Sequence, residues 1–336
     1  MKVHSASFVV AVLFAAFTFS TQPSAQADTF GTSGNEFTID FVNISNAGNS
    51  ADPYNGLSTY GAVPYEYRAS TYEITQDAIT KATASGMANV TAGAWTGNQP
   101  AATISWYEAA AFVNFLNTSS GKTAAYNLTS SGSWSMALWS SDQAWTTGGT
   151  NRYRNKDAYY FLPSENEWYK AAYYNAAGTN YFLFPSAASG GVSGLGPSFG
   201  MSGRPIAVAS GTNAGTAVYN GSATIPAITN PAIVDNAGGL SAYGTMGQGG
   251  NVFEWNESAF DGTNSSSSEN RAIRGGFWFG TEIQLRSNLG RDSVDPTFQT
   301  NFFGFRVASV PEPSTYVLVL MGAGALYLWK RRKSSL

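Results

Sequence analysis

Apolar and polar positions alternate from residue 37 onward. Phe37, Ile39 and Phe41 fall on one side of an extended chain, while Thr38 and Asp40 fall on the other, the period of a half-buried strand. Tyr65–Ile74 (YEYRASTYEI) predicts a second strand, leading into Thr75-Gln76-Asp77, where a helix can start. After the break at Asn98-Gln99-Pro100 the period changes. Ser105 and Glu108 form a capping box, and Ala109, Phe112, Val113 and Leu116 recur at helical spacing before Gly121 ends the run. A second capping box, Ser164 and Glu167 behind Pro163, opens a helix predicted over Glu165–Tyr174. Short helices set between aromatic, irregular stretches predict one α+β domain. Gly190–Asn236 has little periodicity and reads as long surface loops, and Gly262–Asn270 (GTNSSSSEN) as an exposed one.

The two ends of the chain follow other rules. Lys2, the apolar run Phe8–Phe19 and the small-residue site Ala25-Gln26-Ala27 make residues 1–27 a secretion signal, with Asp28 as the expected mature start. At the other end Pro311-Glu312-Pro313 precedes an apolar run, Tyr316–Trp329, and then Lys330-Arg331-Arg332-Lys333. The run is short beside the roughly 17–25 residues of a spanning helix, and the basic cluster would stay on the cytoplasmic side. The expected domain is 28–309 and the expected tail 310–336. This tail resembles the PEP-CTERM sorting signal of exopolysaccharide-forming Gram-negative bacteria, which an exosortase reads. The resemblance implies an inner-membrane intermediate, cleavage, and delivery to the cell surface or extracellular matrix. A permanent transmembrane anchor is the other use of such a tail.

Between the ends, six words stand in a recognisable order. They are YEITQDAI (Tyr72–Ile79), ATISWYEAAAFVNFLN (Ala102–Asn117), YFLPSENEWYKAAYY (Tyr160–Tyr174), GQGGNVFEWNE (Gly247–Glu257), RAIRGGFWF (Arg271–Phe279) and GFRV (Gly304–Val307). Together they resemble the formylglycine-generating enzyme, or sulfatase-modifying factor, family, a variant of the C-type lectin fold. The third word departs from the family's pattern, since Phe161 precedes Leu162 where the family has Arg.

Composition limits what such a domain can do. The chain is 43% hydrophobic and 12% charged, unlike a disordered segment. There is no cysteine, and the one histidine, His4, lies in the secretion signal. Trimming Lys2 and the four terminal basic residues leaves 13 basic residues, and trimming Glu312 leaves 20 acidic ones, a formal charge of about −7. That opposes nucleic-acid binding. Catalytic members of the family oxidise a target cysteine with two copper-binding cysteines placed a few residues after the Gly-Gly-aromatic word. Here Phe279–Leu285 follow, with Gly280 near the first thiol position, so no copper site of that kind is expected. The related iron-dependent sulfoxide synthases need histidines that the mature chain lacks, as does a Ser-His-Asp triad.

The carboxylate pairs Glu254/Glu257 and Glu165/Glu167 are candidates for hydrolysis, but structural roles fit them better. Glu167 caps a helix, Glu254 lies between Phe253 and Trp255 as a buried acid, and Glu257 is expected at the surface. The resemblance also implies a calcium ion at the fourth word, held by the Glu254 carboxylate and the Gly250 and Val252 carbonyls. A further ligand position falls on Gly247, which has no side chain to offer. Arg274, Arg286, Arg291 and Arg306 suit either recognition of an anionic or sugar ligand or, better, buried pairs with carboxylates. Trp134, Trp139 and Trp145 could stack on sugars or lie in the core. The resulting expectation is an exported, non-catalytic binding or structural module with a glycan or protein ligand. The alternative is an enzyme of the family working without thiols.

Overall fold

The computed structural model describes residues 26–53, 60–91, 93–175, 177, 180–186, 204–221 and 228–311. The chain opens with strands β1 (Gln26–Phe30), β2 (Phe37–Ile44) and β3 (Tyr67–Ser70), then helices α1 (Gln76–Ala84) and α2 (Trp106–Ser119). Strands β4 (Asn127–Ser130), β5 (Trp134–Ala137), β6 (Ala144–Trp145), β7 (Asn151–Asn155) and β8 (Tyr160–Phe161) precede helix α3 (Glu165–Tyr173). Short β9 (Ile206–Ala207) and β10 (Thr216–Ala217) follow. The C-terminal part supplies β11 (Phe253–Ala259), β12 (Arg271–Arg274), β13 (Arg291–Val294), β14 (Phe303–Gly304) and β15 (Ala308–Ser309).

Two sheets organise these elements, in the orders β1-β2-β3-β15-β8 and β13-β12-β11-β14. Phe37, Ile39 and Phe41 of β2 are buried and share a core with Phe112, Trp255 and Phe305. Both capping boxes form as their sequences predict, Ser105 with Glu108 and Ser164 with Glu167. On α2, Phe112, Val113 and Leu116 are fully buried, each contributing about 1.5–3 kcal/mol. A second core lies around α3 and includes Trp168, Tyr169, Tyr173 and Val42. The fold is α+β, as expected.

The second strand is shorter than its sequence pattern. Thr75 must cap α1, accepting from the Ala78 N–H at 3.0 Å, and Glu73 turns inward to receive the Asn251 side chain at 2.7 Å. These two demands take the chain out of the ladder after Ser70.

The N- and C-terminal strands meet at one side chain. Arg68 of β3 pairs with Asp28 at 2.6 Å and donates through Nε to Ser309 Oγ at 2.9 Å. Tyr160 also donates to Asp28, at 2.9 Å. Gln26 and Ala27, which the expected signal cleavage would remove, are exposed at the start of β1. The remainder of that signal, and Glu312, Pro313 and the tail beyond, lie outside the described residues. So does part of the expected loop 190–236, whose described part holds β9 and β10. No helix among the described residues is long and apolar enough to cross a membrane.

Candidate functional site

The fourth word forms a turn that feeds β11 into the centre of its sheet. Gly247, Gly250 and Asn251 adopt left-handed backbone, with φ of 81°, 94° and 60°. At Gly250 a Cβ would meet the Val218 carbonyl oxygen at 2.1 Å, so only glycine fits. Asn251 is the hub of the turn. Its Oδ1 accepts from the Ala232 N–H at 2.9 Å, its amide donates to Glu73 Oε2, and its carbonyl accepts from Trp278 N–H at 2.8 Å.

Beyond the hub, Glu254 is completely buried, as its setting between Phe253 and Trp255 suggests. Arg306 grips it with Nε on Oε2 and Nη2 on Oε1, both at 2.6 Å, and the Trp168 indole N–H donates to Oε2 at 2.6 Å. Burial and the charge of Glu254 push the neighbouring Glu73 carboxyl well above the usual carboxylate range, against the pull of Arg306. This donor set does not fit the calcium ion suggested for Gly250, Val252 and Glu254. The carboxylate is already neutralised, and donor hydrogens occupy both oxygens where a hard cation would need free lone pairs. Gly247 packs against the Glu73 carboxylate, which a Cβ there would approach to 2.7 Å. Groups of three or more His, Cys, Asp or Glu side chains able to hold a metal are absent among the described residues.

Two ion clusters of opposite composition flank the N-terminus of α3. In one, Arg154 lies between Glu167 at 2.8 Å and Glu257 at 2.7 Å. In the other, Glu165 lies between Arg274 at 2.7 Å and Arg291 at 2.6 Å. Glu257 therefore corrects the expectation of a surface acid. It is wholly buried, accepting from Arg154 and Asn151 of β7 and from Tyr126. Burial raises the Glu257 carboxyl despite Arg154. For Glu167, burial acts in the same upward direction, but Arg154 and Ser164 outweigh it and hold the carboxyl below its ordinary range. The buried pairs foreseen for the arginines are thus present for Arg274 and Arg306, while Arg291 is partly buried on Glu165 and Arg286 reaches Glu282 at 3.7 Å nearer the surface. Every carboxylate of the two candidate hydrolytic pairs is bound by arginine.

Arg154 escaped the sequence reading. Its guanidinium lies 3.7 Å over the Phe161 ring, so the cation that the third word lacks at Phe161 arrives from β7. That missing Arg was the available signal. The three tryptophans do not share one surface. Trp134 packs on the main core, Trp139 donates to the Ala125 carbonyl at 2.9 Å, and Trp145 meets Tyr65 edge-on at 5.4 Å.

The Gly-Gly-aromatic word closes β12. Gly275 and Gly276 turn with φ of 101° and 76°, and the Gly275 carbonyl accepts from Gly250 N–H at 2.7 Å. Phe277 stacks on Phe302 at 4.6 Å, while Trp278 meets Trp95 edge-on at 6.2 Å and Phe279 at 5.6 Å. Phe279 is 55% exposed and Ile283 48% exposed. Gly280, near the first thiol position, is itself buried. A Cβ there would meet Gln284 Oε1 at 2.2 Å, and that oxygen accepts from the Thr281 N–H at 3.0 Å.

The fold agrees with comparisons to known proteins. Residues 309–333 match the PEP-CTERM protein-sorting motif, which marks an exported chain handled by exosortase-type machinery at the membrane. Treponema denticola variable protein 1 is similar in structure, with a TM-score of 0.53 at 20% identity, covering 86% of this chain and 100% of that one. The crystal structure of CarF is similar with a TM-score of 0.51 at 20% identity, covering 82% and 99%. At such identities the likeness shows the shared C-type-lectin-like fold. No curated relative matches the sequence. Residues 32–310 match the sulfatase-modifying factor enzyme 1-like domain, and the chain belongs to that family.

Proposed function

We propose that the domain is a non-catalytic binding module of an exported surface protein, and that its partner is an apolar peptide segment. One observation carries this reading. At the place of the family's first thiol stands Gly280, without room for a Cβ, directly after the exposed Phe279 and three positions before the exposed Ile283. Chemistry has been replaced there by apolar contact surface. Aromatic side chains supply such surface at low entropic cost and often anchor interfaces.

The test has two arms. Peptides selected from a random library against the full protein should carry apolar anchors, and Phe279→Ser with Ile283→Ser should weaken their binding at least tenfold with little change in melting temperature. Copper-dependent oxygen consumption in the presence of a cysteine-containing peptide would instead establish an enzyme of the family. Selected peptides that bind the double variant unchanged would remove the aromatic face from consideration.

A further inference from the structure

A cleft of about 240 Å³ opens at the N-terminus of α3. Its walls include Tyr60, Tyr65 and Trp145, and Asn166 and Asn264 line it as well. None of its lining residues belongs to the aromatic segment 277–302, so what it binds is independent of the peptide reading above. Ligand pockets for drug-sized molecules run from about 300 to 1,000 Å³. This one therefore has room for an occupant the size of a single ring.

Its electrostatics select against a charged occupant. Arg154 with Glu167 and Glu257 leaves one formal negative charge, and Glu165 with Arg274 and Arg291 leaves one formal positive charge. Arg154 and Glu165 both line the cleft, so the two excesses cancel beneath it. The positive end of α3, which elsewhere attracts anions, is met here by Glu165 and Glu167 of its own first turn. The Tyr65 hydroxyl is a committed donor, bound to Glu167 Oε1 at 2.7 Å. Burial, followed by the nearby Glu167, raises its pKa, which keeps it protonated.

Two carboxamides remain to recognise a ligand, and both are fixed in orientation. Asn166 accepts the Gly61 N–H through Oδ1 at 3.0 Å, and Asn264 accepts the Ala259 N–H through Oδ1 at 2.8 Å. A backbone donor on each oxygen leaves each NH₂ group as a preoriented donor, with no hydrogen bond of its own among the described residues. The aromatic walls are held as well. Gly148, with φ of 84°, lies so close to Pro64 that a Cβ would meet its Cγ at 3.0 Å, which locks the β6–β7 loop against the segment bearing Tyr65. Tyr60, Tyr65 and Trp145 are each half-buried, with Arg274 over the Tyr60 ring at 4.8 Å and Arg154 over the Trp145 ring at 5.3 Å.

From this combination we infer that the cleft is a binding site for one neutral pyranose ring. The C–H face of the sugar meets the aromatic walls, and its hydroxyl oxygens accept from Asn166 and Asn264. Uncharged chemistry of ring size, apolar on its faces and rich in acceptors around its edge, is what these groups complement.

The experiment uses the full chain in a detergent without a sugar headgroup. Saturation-transfer NMR is run with methyl glucoside, methyl galactoside, methyl mannoside and N-acetylglucosamine, with glucuronate and glucose 6-phosphate as anionic comparators. At least one neutral sugar should bind with a dissociation constant on the order of 1 mM, a value ordinary for a small ligand, and both anions more weakly. Asn166→Asp keeps an acceptor for Gly61, removes the free donor and adds one negative charge, so Asn166→Ser, which removes the carboxamide donor without adding charge, is run beside it. Each should weaken the neutral sugar roughly threefold to tenfold, the effect of one hydrogen bond, with the melting temperature of Asn166→Asp unchanged. Trp145→Ala should abolish the transfer signal, and a fold check by circular dichroism accompanies it. Absence of binding by every neutral sugar, preference for the anions, or binding indifferent to either Asn166 variant would each overturn the assignment.

Discussion

Glu254 and Arg306 are a buried pair whose partners are complete: two oxygens facing two guanidinium nitrogens, with Trp168 as a third donor. Removing the charge from one side strands the other in a dry core. Glu254→Gln should therefore cost about 3–5 kcal/mol, the range for breaking one side of a buried pair, read by chemical denaturation. A change within experimental error would mean that Arg306 finds another anion. In the same variant and in the wild type, added calcium should leave the melting temperature where it was. A calcium-dependent rise in the wild type that disappears in Glu254→Gln would show a cation at this turn after all. Burial decides charge placement here, whereas sequence neighbours are a poor guide to it. Glu254 and Glu257 differ by three positions and both are sealed, yet one belongs to Arg306 and the other to Arg154.

Among the elements, α3 docks through polar groups on nearly every turn. Glu165 and Glu167 engage arginines, and Lys170, fully buried, donates to the Asn46 carbonyl at 2.9 Å. Burial brings the Lys170 ammonium down to about 8, with Glu66 pulling the other way. In the unfolded chain the same group titrates near 10.4. Between these values the unfolded state holds a proton that the folded state has lost, so stability rises with pH. From pH 8 to about 9.5, below the ordinary tyrosine pKa near 10, the wild type should gain melting temperature relative to Lys170→Met. A constant difference between the two proteins across that interval would sink the argument. The N-termini of α2 and α3 were legible in the sequence because a capping box is local, with donor and acceptor three residues apart. Arg154 joined to Glu257 was not, since the partners are 103 positions apart and no residue pattern encodes which strands become neighbours. The same distance explains why Glu257 read as a surface acid. The early end of β3 was hidden for a related reason, because Glu73 answers to Asn251, 178 positions away.

For the whole molecule, the family domain and the sorting motif adjoin at residues 309–310. Removal of the secretion signal should give a mature chain beginning at Asp28, and processing by an exosortase-type enzyme should end it near Pro311–Ser314. Mass spectrometry of the native surface fraction checks both ends, and a main species still carrying Leu336 would refute cleavage of the tail. The arrangement around Arg68 then has a mechanical meaning. One arginine binds Asp28 and Ser309, so the lead-in to the domain and the lead-out to the tail leave from the same pole. Were both held at a membrane at once, the domain would be suspended like a bead on a loop. Tension drawn through either strand would fall first on this latch and on the short ladders of β1 and β15, before it reached the cores that Phe30 and Ala308 join.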